Sequence, residues 1–95
     1  MNENTVAKRV VKRLDAGNDI NGNPNEWLPF VYGLTIFSKA ATKADWGIDG
    51  VKICLNGGGF LEGGFIDNLD NWIRENFAGF RCVSEGNEAI YILKN

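Results

Sequence analysis

Apolar residues recur at two different periods along this chain, and the switching between them limits the folds it can adopt. Over residues 4–15, Val6, Val10 and Leu14 repeat at i, i+4 and i+8, and Ala7 and Val11 widen the stripe. That spacing predicts an amphipathic helix, with Lys8, Arg9, Lys12 and Arg13 on its other face. Asn4 or Thr5 suits its start and Gly17 its end. A second stripe, Ile66, Leu69, Ile73 and Phe77, predicts a helix over 66–77 closed by Gly79. Short apolar runs at 51–55, 80–84 and 89–93 predict strands. Glu85-Gly86-Asn87-Glu88 joins the last two as a hairpin, because Gly and Asn accept the positive φ of a tight turn.

Residues 27–46 fit both periods. Leu28, Phe30, Tyr32, Leu34 and Ile36 alternate, whereas Trp27, Phe30, Leu34, Phe37 and Ala41 form a helical stripe. Pro29 and Gly33 disfavour a helix interior, and aromatic and β-branched residues favour a pleated strand. The reading adopted is a strand at about 30–37, then a loop or short helical turn over 38–45. A helix over about 26–44 is the competing reading. Residues 16–26, rich in Asn, Asp and Gly, form a loop.

The resulting order is α-β-β-α-β-β: a small α+β domain spanning 1–95. Its two helices pack on one face of a four-stranded, mainly antiparallel sheet. That order is a circular permutation of the ferredoxin-like βαββαβ arrangement, a likeness of element order that carries no function. At 95 residues and 44% hydrophobic, with a net charge of −2, the chain has enough apolar surface for one core and too little charge for disorder.

The charge is unevenly placed. Residues 1–13 carry a net +3 and residues 14–95 a net −5. The basic run is not followed by an apolar segment, so no signal peptide is expected. The longest apolar stretch, 27–37, is far short of the ~20 residues that span a bilayer. A cytoplasmic protein is expected. Cys54 and Cys82 are then free thiols on strands, with no CxxC pair to suggest zinc.

The chain has no His, which removes the usual base for Ser38, Ser84 or Cys82. Five glycines within 57–64 lie between a strand and a helix, where a phosphate cradle would sit. The GxGxxG register meets Glu62, no P-loop Lys follows, and Glu62 and Asp67 would repel an anion. Residues 15–26 resemble a calcium loop in length, but Gly17 and Ile20 occupy positions that need a ligand and a Gly. Asp67 and Asp70 are neighbours near a helix start, where capping and the helix dipole account for them. No catalytic residue, cofactor or metal site is assigned.

The expected function is a non-enzymatic, protein-binding regulatory module, monomeric or homodimeric. Small inhibitors of host or defence enzymes, of the accessory kind that phages and mobile elements carry, share this description. Eleven aromatic rings exceed what so small an interior readily holds. Trp27, Trp46, Phe60, Phe65 and Trp72 are therefore the candidate anchors for a partner. The alternative is nucleic-acid binding through Lys8, Arg9, Lys12 and Arg13. A third reading is a small acid–base enzyme or ligand-binding domain using Glu62 or Asp67.

Overall fold

A computed structural model describes residues 1–15, 34–55, 65–86 and 88–95. The order is α1 (Glu3–Asp15), β1 (Leu34–Phe37), α2 (Lys39–Trp46), β2 (Val51–Leu55), α3 (Phe65–Asn76), β3 (Phe80–Glu85) and β4 (Ala89–Lys94). The strands form one sheet in the order β1-β2-β4-β3, with every neighbouring pair antiparallel. β2 and β3 therefore run parallel with β4 between them, and α3 makes the crossover, a split β-α-β unit. This order and these directions are those of the permuted ferredoxin-like arrangement, with α2 added between β1 and β2.

α1 begins at Glu3, one residue before its expected start and three before Val6, the first residue of its apolar stripe. Asn2, rather than Asn4 or Thr5, is the cap: its Oδ1 accepts from Thr5 N at 2.9 Å and Thr5 Oγ1 at 3.1 Å. Val6, Ala7, Val10 and Leu14 are buried, and Lys8, Arg9, Lys12 and Arg13 are exposed. α3 buries Leu69 and Ile73, with Ile66, Trp72 and Phe77 packed against the same cluster. Both helices lie on one sheet face, over Val51 and Ile53 of β2, Ile90 and Ile92 of β4, and Phe80 and Cys82 of β3. Each fully buried Ile or Leu there contributes roughly 1.5–3 kcal/mol.

The segment 38–45 differs from its expectation in extent. Of the two forms expected there, a loop or a short helical turn, the helical one holds and is longer: the segment is most of an eight-residue helix, α2. Ser38 Oγ accepts from Ala41 N at 3.1 Å, and Gly47 ends the helix at φ 71° while its N–H donates to Lys43 O at 3.0 Å. Only Thr42 of this helix is buried, so no apolar stripe announced it. The competing helix over 26–44 fails at 34–37, which pair with β2 as a strand. The rest of the strand expected from residue 30 lies outside the described residues.

Two contacts fix how the strands meet. Thr42 Oγ1 accepts from Lys52 N at 3.2 Å and donates to Phe37 O at 3.2 Å. The hydroxyl thus bridges β1 and β2 at the register pair Phe37–Lys52. At Gly50, a Cβ would sit 2.6 Å from Ile92 O, so only glycine allows β2 and β4 to approach there. At the free edge of β3, Phe80 N donates to Phe77 O, and Cys82 N to Asp70 Oδ1 at 2.9 Å. Those two outward amides are satisfied from within the chain, which blunts the edge against pairing with another strand.

Candidate functional site

The sheet face opposite α1 and α3 has a different chemistry. The register puts Phe37, Lys52, Tyr91 and Val83 in one row across all four strands. At ~4.8 Å per strand the row spans roughly 14 Å. α2 turns Trp46 onto this row. Its ring packs edge-on against Phe37, with centroids 5.0 Å apart and planes at 74°. Lys52 Nζ lies 3.8 Å from the Trp46 ring centroid and 5.4 Å from that of Tyr91. It also pairs with Glu85 Oε1 at 3.2 Å, and Tyr91 OH donates to Glu85 Oε2.

The electrostatics follow from this packing. Burial works against the Lys52 charge, but hydrogen bonds to Glu85 and Tyr91 outweigh it and raise the ammonium above its ordinary 10.5. Tyr91 and then Lys52 hold Glu85 below 4.5. Burial and then the bond to Glu85 raise Tyr91 above 10.0. All three shifts lead away from neutrality, so none of these groups is poised to exchange protons near pH 7. What the arrangement does is hold an indole: a shielded cation under Trp46 contributes about 0.5–2 kcal/mol and fixes its orientation. Trp46 is 37% and Val83 38% exposed; among the described residues they are the large apolar side chains of this face that remain open to water.

The thiols do not meet. Cys82 faces the core, whereas Cys54 pairs with Thr35 and Ala89 on the outer face, and β4 separates their strands. Both are free. Burial first, then the Asp70 charge, pushes Cys82 up to about 12, and burial raises Cys54 as well. Neither is primed as a nucleophile.

A third cluster ties helices together. Lys39 Nζ lies 2.7 Å from Glu3 Oε2 and 3.5 Å from Asp49 Oδ1, joining the first turns of α1 and α2 to the approach to β2. The hydrogen bond from Lys39 lowers the Glu3 carboxyl against the opposing effect of burial.

Of the anchors expected from sequence, Trp46 is on the outer face. Trp72 is half-buried on the other side of the sheet, edge-on to Phe77 at 5.5 Å and beneath the Arg13 guanidinium at 5.3 Å. Phe65 is the first residue of α3. Trp27 and Phe60 lie outside the described residues, as do Glu62, the 57–64 glycine segment and most of the 15–26 loop. Asp67 is exposed in the first turn of α3. Asp70, three residues on, is engaged by Cys82 N and by Arg74 Nε at 2.8 Å. Lys52, Glu85 and Tyr91 escaped the sequence reading because no local spacing links positions 52, 85 and 91. The one signal was a lysine in the middle of the apolar run Val-Lys-Ile-Cys-Leu.

Among the described residues, no group of three or more Cys, Asp or Glu could hold a metal ion, and no helix is long and apolar enough to cross a membrane. No family model matches the chain, and neither does any curated protein or solved structure.

Proposed function

We propose that this chain is a non-enzymatic protein-binding module that docks through the outer sheet face around Trp46. The observation that carries the reading is the held indole. Trp46 is partly exposed yet fixed by Phe37 and Lys52, so little side-chain freedom is lost when a partner covers it. Val83 extends the apolar contact across the sheet, and Glu85 and Glu88 supply a polar rim. The absence of proton-exchanging groups near neutrality in the Lys52 cluster favours binding over acid–base chemistry. The proposed role is regulatory. It extends to a cytoplasmic inhibitor of a host or defence enzyme, of the kind carried by phages and mobile elements.

The test is capture of binding proteins from host lysate, identification of the partner, and titration with purified protein. Trp46→Ala is expected to weaken binding at least tenfold while far-UV circular dichroism stays unchanged. Equal affinity of Trp46→Ala and the wild type would remove this face as the site. A monomeric chain that recovers no specific protein overturns the module reading itself.

A further inference from the structure

The opposite side of the molecule carries a second surface. Lys8, Arg9 and Lys12 project from α1 into solvent, and none of them has a carboxylate partner among the described residues. Arg13, next in the strip, lies over the Trp72 ring of α3. From Lys8 to Arg13 the helix rises roughly 7.5 Å, so the strip is about one and a half turns long. Lys8, Arg9 and Lys12 stand on a chain whose other residues sum to −5. Like charges this close repel one another, and an anionic partner relieves that repulsion.

The surroundings decide which polyanion fits. α3 covers the same sheet face, within side-chain reach of α1, as the Arg13–Trp72 contact demonstrates. Its outer side exposes Asp67 and Glu75. A nucleic-acid duplex presents two phosphate rows across a groove of about 12 Å, and a footprint that wide would overlie the α3 carboxylates as well as the strip. With a screening length of about 8 Å at physiological salt, that repulsion is felt. Three or four phosphate contacts also fall short of the 6–10 that typically give strong salt-dependent binding. A single acidic helix presents one row of carboxylates, at i, i+4 spacing, and can set that row along α1 alone. We infer that the Lys8–Arg9–Lys12 strip is a docking surface for an acidic polypeptide segment, separate from the Trp46 face and on the other side of the sheet.

The test uses the full chain and labelled probes in fluorescence anisotropy. The probes are a peptide with four glutamates along one helical face, its glutamine counterpart, and a short mixed-sequence DNA duplex. At about 0.15 M salt, where screening is physiological, the glutamate peptide is expected to bind more tightly than both others. Lys8→Glu with Lys12→Glu is expected to weaken it roughly tenfold or more, and added salt to weaken it further. Asp67→Lys with Glu75→Lys is expected to bring the duplex on. Trp46→Ala is expected to leave peptide binding unchanged, which separates this inference from the proposed function. Tighter binding of the duplex by the wild type overturns the inference in favour of nucleic acid. Indifference of peptide binding to the charge reversal overturns it as well. A dimer in solution that dissociates on the same reversal overturns it in favour of a second copy.

Discussion

The two faces of the sheet are built from the same strands, residue by residue in alternation, yet they solve different problems. In β4, Ile90 and Ile92 face α1 and α3 in a dry aliphatic layer, while Tyr91 between them faces outward and bonds Glu85. In β2, Val51 and Ile53 join the same layer, and Lys52 between them reaches under Trp46. The inner face stabilises by removing apolar area from water, an additive and non-directional effect. The outer face depends on directional contacts among a few polar and aromatic groups. Its contribution to stability is smaller and its geometry more specific.

That contrast can be broken by substitution. The largest effect is expected from Ile92→Ala, which opens a cavity in the aliphatic layer and should cost about 2–5 kcal/mol in urea unfolding. A loss below about 1 kcal/mol would mean that the inner face is loosely packed. Thr42→Val comes next. It keeps the shape but leaves the Lys52 N–H and Phe37 C=O without their bridge, an expected cost of about 1–3 kcal/mol by the same measurement. If Thr42→Val is neutral, the β1–β2 junction is held by the ladder alone.

The smallest effect is expected from Lys52→Met, about 1 kcal/mol near neutrality, because its carboxylate partner is half exposed. Its signature is in the pH profile. Glu85 is lowered in the fold, so its contribution is whole above 4.5 and is lost as pH falls through the depressed value. Lys52 is raised, so its contribution is whole below 10.5 and is lost as pH rises through the raised value. Tyr91 is raised too: the fold keeps a proton that the unfolded chain releases above 10.0, which adds to the alkaline loss. Wild-type melting temperature is therefore expected to be flat between about 5 and 10 with respect to this cluster. In Lys52→Met the lysine's share of the alkaline fall should vanish, and the acid fall should shrink because Glu85 loses one of the two groups that hold it down. An unchanged profile would show that the cluster is not coupled.

Much of the architecture was legible because it rests on local periodicity. The stripes of α1 and α3 and the runs of β2, β3 and β4 each needed only their own residues to be recognised. α2 was less legible because its burial is a single threonine, although Ser38 and Gly47 flank it as cap signals. The candidate site was legible in one residue, Trp46, through its place beside a loop. Phe37 and Lys52, which hold Trp46, were not, because antiparallel pairing across four strands brings them into one row with Tyr91 and Val83 from distant positions.

Sequence alone determined which sides of α1 and α3 are apolar, where a positive φ is needed at Gly79 and Gly86, and that the positive charge concentrates on the first helix. Those properties are set within a few residues by sterics and side-chain transfer energy. Tertiary structure decided which edge of the sheet each strand takes. It also decided that Cys54 and Cys82 face apart, and that a lysine in an apolar strand sits beneath an indole and beside a carboxylate. These depend on strand register, which couples residues by position in space, so no local pattern records them.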